Sequence, residues 1–147
     1  MSTPRSIRER WVYIDSSAYL ALLDVNDANH TAALLILRWL SLNRYRLYTT
    51  NALLIECHAL IMSCPGRRIA ARFLQDVDAG NTVIVRVRAD DETRAKAVVY
   101  RYDDKDFSFN DALSFVVMER LGIQRVFTFD NDFTQYGFLV LDADRLP

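Results

Sequence analysis

The alternation of strand-like and helix-like segments predicts an α/β fold with a mainly parallel sheet. Two further observations support this. Short β-rich runs are separated by helical patterns long enough to serve as crossovers, and no repeat, low-complexity tract or Gly/Pro-rich linker interrupts the 147 residues. That length suits one domain with a substantial core, so the whole chain, 1–147, is expected to fold as a unit, with 1–10 as an N-terminal extension.

The elements follow in order. WVYID (11–15) is short, β-rich and acidic at its end, and SSAYLALL (16–23) is helical, with Ser16 or Ser17 suited to cap it. After the loop DVNDAN, His30 to about Leu42 has helical spacing, and RLYTT (46–50) is the second strand. NALLIECHALIMSC is a nearly all-apolar helix that stops at Pro65-Gly66. Arg67 to Asp78 resumes helical spacing, with Ile69, Ala70, Phe73, Leu74 and Val77 on one face. NTVIVRV (81–87) is the third strand, Asp90 to Arg101 a solvated helix, and Ser108 to Leu121 an apolar helix ended by Gly122. RVFTF (125–129) and GFLVLD (137–142) complete a sheet of four or five strands. Parallel strands joined by crossovers share one C-terminal edge, and ligands collect there, where strand order reverses.

Composition narrows the function. The net charge of -1 does not advertise nucleic acid, although sixteen of the eighteen basic residues are arginines. No apolar run approaches a membrane span, and the start, MSTPRSIRERW, has no signal-type apolar stretch, so the cytoplasm is expected, with no membrane partner. The arginines of that start resemble a transit peptide only loosely, and Glu9 breaks the pattern. Cys57 and Cys64 read as two buried free thiols in a reducing compartment.

Four acids sit at the edge of, or inside, apolar segments. Asp15 ends the first strand, where an N-cap would explain it equally well. Asp111 lies three residues after Ser108 in an S-x-x-D pattern, which a capping box accounts for. Glu56 shares a helical stripe with Ala52, Leu53, Ala59 and Leu60, far from either helix end, so it is expected to pair with an arginine, protonate or meet a metal. Asp130 follows the fourth strand and Asp132 comes two residues later, an arrangement that a turn or helix start also produces. Taken together, four acids would gather at one sheet edge. Two carboxylates about 4 Å apart repel by around 4 kcal/mol at an effective dielectric of 20, so a proton or a divalent cation must relieve the cluster. All-oxygen ligands favour Mg²⁺ or Mn²⁺, and Ser16 and Thr128 are placed to orient carboxylates or waters from behind.

The ordered set D-S-S after the first strand, LIECHAL, DFSFNDALSF and TFDNDF resembles the PIN-domain ribonucleases, and within them the toxin subunits of VapBC-type toxin–antitoxin pairs. The resemblance runs from about Val12 to Leu141. It implies a three-layer α/β/α sandwich and a Mg²⁺- or Mn²⁺-dependent endoribonuclease. Asp15, Glu56, Asp111 and Asp130 take the acidic positions, with Asp132 as a fifth metal ligand. It also implies a homodimer and a small antitoxin that covers the site. An ion there would lower the pKa of a nearby water and offset phosphate charge, and attack by water rather than the ribose 2′-OH would leave a 5′-phosphate. Asp15, Asp111 and Asp130 are assigned as ligands, and Glu56 as a ligand or as the group that orients the attacking water. The alternatives are a PIN-fold module that binds RNA or protein without cleaving it, and an RNA-processing nuclease that is no toxin.

Other chemistries have little to work with. The only histidines are His30 and His58, which disfavours a histidine pair or a Ser-His-Asp triad. A haloacid-dehalogenase-type phosphatase would need an acid where Ser17 stands, and four glycines support no nucleotide-binding loop. Arg67, Arg68 and Arg72 form the densest helical basic cluster, better explained as a solvated face than as a phosphate contact.

Overall fold

A computed structural model describes residues 5–147, so the first four residues of the arginine-rich extension lie outside the described residues. Five parallel strands run β1 (Trp11–Ile14), β2 (Arg46–Thr50), β3 (Val83–Val85), β4 (Arg125–Phe127) and β5 (Leu139–Val140). The helices are α1 (Arg5–Arg8), α2 (Ser16–Leu23), α3 (His30–Leu42), α4 (Asn51–Ser63), α5 (Arg67–Ala79), α6 (Ala89–Arg101), α7 (Phe109–Leu121) and α8 (Asn131–Tyr136). The strand order is β3-β2-β1-β4-β5, with every pair parallel. Order therefore reverses between β1 and β4, and Ile14 pairs with Phe127. That crevice is where an open α/β sheet places its ligands.

The sheet has a helical layer on each face. On one face Ile14 shares a core cluster with Tyr19, Leu23, Leu37 and Phe73 of α2, α3 and α5. On the other face, Tyr13 bonds to Ser114 of α7 at 2.6 Å and packs against Phe133 of α8. This is the three-layer sandwich expected from the sequence, fully parallel rather than mainly so. The run Ala112–Met118 is buried on all sides of α7, mostly apolar as an enclosed helix must be, with Ser114 its one polar member and paired to Tyr13.

Several expectations are corrected. The third strand covers 83–85 instead of 81–87 because β2 ends at Thr50, where α4 begins. Beyond Val85 no ladder partner remains, and Val87 N–H donates instead to the Asn51 side chain at 2.9 Å. The fifth strand shrinks to two residues because α8 runs to Tyr136, and the chain leaves it through Gly137 at φ 123. The helix taken as solvated buries Asp91 and Ala95, and Leu74 of α5 is exposed. Cys57 is buried and desolvation pushes its thiol up to about 12, but Cys64 is exposed. It sits at the C-cap of α4, where the core-facing stripe has ended. Among the described residues no helix is long and apolar enough to cross a membrane.

Candidate metal centre

Three helix N-termini meet at the β1/β4 crevice, and each carries an acid for a local reason. Asp15 follows β1 and N-caps α2, its Oδ2 accepting the Ser17 N–H at 3.4 Å. Asp130 follows β4 and N-caps α8, its Oδ1 accepting the Asp132 N–H at 2.9 Å. Asp111 closes a capping box at α7, where Ser108 N–H donates to its Oδ2 and Asp111 N–H donates to Ser108 Oγ, both at 3.0 Å. The capping explanations for these acids are thus correct. Capping uses part of each carboxylate's acceptor capacity and leaves the rest toward the crevice.

Asp111, Asp130 and Asp132 each present an oxygen within 4.8 Å of the others. Asp132 records the crowding. Partial burial, a hydrogen bond with Asp111 and the charge of Asp130 raise its pKa from the ordinary 3.8 to about 7. A three-carboxylate, all-oxygen set under that strain is the donor chemistry that suits a hard dication.

Asp15 lies deeper, 5% exposed. Burial raises its pKa and the charge of Asp111 adds to the rise, while hydrogen bonds from Thr128, Ser17 and the Ser16 backbone oppose both. Thr128 Oγ1 and Ser17 Oγ each donate to its Oδ2 at 2.9 Å, and Ser17 Oγ also accepts the Phe129 N–H. The two hydroxyls are 3.0 Å apart, so they tie β4 to α2 behind the acid. Ser17 was read only as a cap, and Ser16, singled out as the orienting hydroxyl, contributes its backbone instead. Choosing between adjacent serines depends on the backbone angles of the first helical turn, which hydrophobic spacing does not report.

Glu56 stands apart from the three-acid group. Its stripe on α4 is mixed, with Leu53 buried but Ala59 and Leu60 exposed, so burial does not force an ion pair on it. Its partner is no arginine: Glu56 Oε2 accepts from the side-chain amide of Asn110, the residue before Asp111. Asn110 Oδ1 is buried with no partner, an orphaned acceptor beside the acids. The amide was not singled out in the sequence, and its place inside N-D-A was the available signal. Neither histidine joins the site; His30 Nδ1 engages the carbonyl of Ala21 at 2.7 Å. Arg67 and Arg68 are exposed on α5, and Arg72 lies 3.9 Å from Asp76.

A proton on Asp132 makes a measurable prediction. Its pKa is raised on folding, so between about 4 and about 7 the metal-free folded protein binds more protons than the unfolded chain, and this group's contribution to stability falls as pH rises through that window. Asp132→Asn is expected to flatten the fall, raising the metal-free melting temperature at pH 8 relative to wild type and leaving it nearly unchanged at pH 5. Mg²⁺ should raise the wild-type melting temperature more at pH 8 than at pH 5. Melting curves for both proteins at both pH values, with and without the ion, check this.

The chain is similar to known proteins over most of its length. The PIN domain family matches residues 12–139. The 23S rRNA-specific endonuclease VapC20 of Mycobacterium tuberculosis, from strains CDC 1551 and H37Rv alike, is 33% identical over 128 residues, covering 87% of this chain and 95% of that protein. The crystal structure of the M. tuberculosis VapC20, described as a sarcin–ricin loop cleaving toxin, superposes with a TM-score of 0.82 at 30% identity over 89% of this chain and 98% of that one. FitAcB from Neisseria gonorrhoeae shares the fold, with a TM-score of 0.63 at 12% identity over 92% and 99% of the two chains. With the family match spanning β1 to β5 and the acids of the crevice inside it, the chain belongs to the PIN domain family.

Proposed function

We propose that this protein is a metal-dependent endoribonuclease of the VapC toxin type, folded as one PIN-like domain with residues 1–10 as an extension. The observation that carries the reading is the three-carboxylate group at the β1/β4 crevice, inside a family match that extends to a named rRNA endonuclease. A Mg²⁺ or Mn²⁺ bound there would supply charge neutralisation at the scissile phosphate and acidify water beside it. Asp111, Asp130 and Asp132 are the oxygen donors we assign. Asp15, fixed by Thr128 and Ser17, keeps its carboxylate in one orientation at the floor of the crevice as a further ligand. Glu56, steadied by Asn110, is the group we assign to orient the attacking water and accept its proton. Hydrolysis by this route leaves a 5′-phosphate. The partners we infer are a structured RNA, a small antitoxin that masks the acids, and a second copy of the chain.

The test is incubation with a sarcin–ricin hairpin RNA and unrelated hairpins, with Mg²⁺ or Mn²⁺ and with EDTA. We expect a discrete cut bearing a 5′-phosphate that EDTA stops. Cleavage that survives EDTA, or none with either ion, rejects the reading. Inducible expression in a bacterium tests the toxin role, and unaffected growth would count against it.

A further inference from the structure

The N-terminal rim of the sheet, opposite the acids, gathers arginines that the acid chemistry does not use. A concavity of about 400 Å³ opens there, lined by Ile7, Arg10, Trp11, Arg44 and Arg46. Arg10 and Arg46 sit at the starts of adjacent strands, with Trp11 and Arg46 in register and Arg46 N–H donating to Arg10 O at 2.8 Å. Arg10 Nη1 donates to Asn43 O at 2.8 Å, which holds one guanidinium in place on the rim. The Trp11 ring packs on Tyr48, 4.7 Å between centroids, and stiffens the wall. Arg125 adds a further cation on the next strand, its Nη1 tied to Glu9 O at 2.8 Å. Among the described residues no carboxylate lies within ion-pair distance of Arg10, Arg44 or Arg46. Three uncompensated guanidiniums around one hollow, in a chain whose net charge is -1, are a local departure from the rest of the surface.

Arg44 differs from the other two arginines in its backbone. Its φ is 56, and it is the one non-glycine among the described residues in the left-handed region. The chain turns there from α3 into β2, a post-helix position that ordinarily takes glycine or asparagine. Its exposed side chain makes no hydrogen bond or ion pair among the described residues. That conformation closes α3, with Tyr45 N–H donating to Leu40 O at 2.9 Å and Arg44 N–H to Ser41 O at 3.2 Å, and it leaves the exposed guanidinium lining the hollow with no partner among the described residues.

We propose that this rim hollow is a second RNA-contact site that takes the phosphodiester backbone of the substrate at a distance from the acid crevice. Guanidinium forks match phosphate oxygens in geometry and charge. The proposal rests on RNA being the substrate, as above. β1 has four residues, so at about 3.3 Å per residue the rim lies roughly 13 Å from the acids along the strand. An RNA held at the acids must therefore extend well beyond the cut to reach the arginines, which makes the site one for long or structured RNA.

Anisotropy of labelled RNA, measured with EDTA present across a salt series, tests this on the full chain. For a hairpin of about 30 nucleotides, Arg44→Gly is expected to weaken binding severalfold, with the slope of log K on log[salt] shallower by about 0.7–0.9. The triple variant Arg10→Gln, Arg44→Gly, Arg46→Gln should lose at least about tenfold, with the slope shallower by about 2. The melting temperature of Arg44→Gly should equal or exceed that of wild type. Unchanged hairpin affinity and slope, or a lowered melting temperature for Arg44→Gly, would each overturn the proposal, as would variants that alter only the mass of the protein in solution. Should wild type cleave no RNA while hairpin binding still depends on Arg44, the nuclease reading fails and the rim site stands. Should cleavage persist while the variants bind like wild type, the rim site fails alone.

Discussion

Replacing Asp111 with asparagine is expected to reduce metal-dependent RNA cleavage by at least about a hundredfold while leaving the fold intact. Loss of groups that merely support metal ligands costs tenfold to a hundredfold, and Asp111 is one of the ligands we propose, with an oxygen within 4.8 Å of those of Asp130 and Asp132. Asparagine keeps one acceptor oxygen for the Ser108 N–H, so the capping box at α7 survives. It removes one of the charges that raise the pKa of Asp132, so the metal-free protein should melt no lower than wild type at pH 8. Ser108→Ala is the converse variant. It removes the hydroxyl that accepts the Asp111 N–H, which should cost about 1 kcal/mol of stability, and it leaves every acid in place. If Asp111→Asn cleaved normally and melted lower, while Ser108→Ala behaved the same way, Asp111 would be a cap and nothing more.

Their capping positions explain why the acids were legible in the sequence and why each was ambiguous there. Asp15 and Asp130 announce themselves as acids after β-rich runs, and Asp111 as the last letter of S-x-x-D before an apolar stretch. Each signal is local, and each equally describes an N-cap. Their convergence depends on β1 and β4 being neighbours, which the register supplies and no local pattern does. The alternation of elements was similarly legible, because strands and helices of ordinary length leave a period. α8, at six residues, is shorter than two helical turns and leaves none. The end of β3 is set by what lies across from it, a property of the neighbouring strand, and the start of β5 by where α8 stops.

Glu56 marks the limit of reasoning from helical faces. Its stripe in α4 looked apolar throughout, and a buried carboxylate would have needed a strong partner. In the fold the stripe turns outward at Ala59 and Leu60, so a neutral amide from Asn110 suffices. The inverse error occurred at α6, where ADDETRAK looked fully solvated and Asp91 is in fact 1% exposed. Its partner is Arg120, on a different helix and distant in the chain, and periodicity carries no information about such pairs.

The Asp91–Arg120 pair carries the largest expected effect on stability. Arg120 grips Asp91 with two parallel bonds, Nε to Oδ1 at 3.0 Å and Nη2 to Oδ2 at 2.8 Å, and the Arg88 N–H donates to Oδ2 at 2.9 Å. Burial alone would raise the Asp91 pKa, but the Arg120 bonds and the Arg88 N–H outweigh it and hold the carboxyl below its ordinary value. Arg120→Met strips the buried carboxylate of its counter-charge and should destabilise the protein by about 3–5 kcal/mol, lowering the melting temperature by roughly 10–15 °C for a domain of this size. The sign of the pH dependence separates this from simple loss of packing. In wild type the depressed pKa contributes stability that is fully present above about pH 4, the unfolded value, and is lost as pH falls through the folded value. In Arg120→Met the unpaired carboxylate is desolvated and its pKa rises, so the variant should regain stability on acidification from pH 7 to pH 5, where wild type is flat at this group. Asp91→Leu combined with Arg120→Met should recover most of the loss, because an apolar pair of similar volume leaves no charge stranded. Because α7 presents Asp111 from the same helix that Arg120 ties to α6, the single variant should also weaken Mg²⁺ binding at pH 7. The double variant should restore that binding if rigid placement of α7, and not the charge of Arg120, is what the acids require.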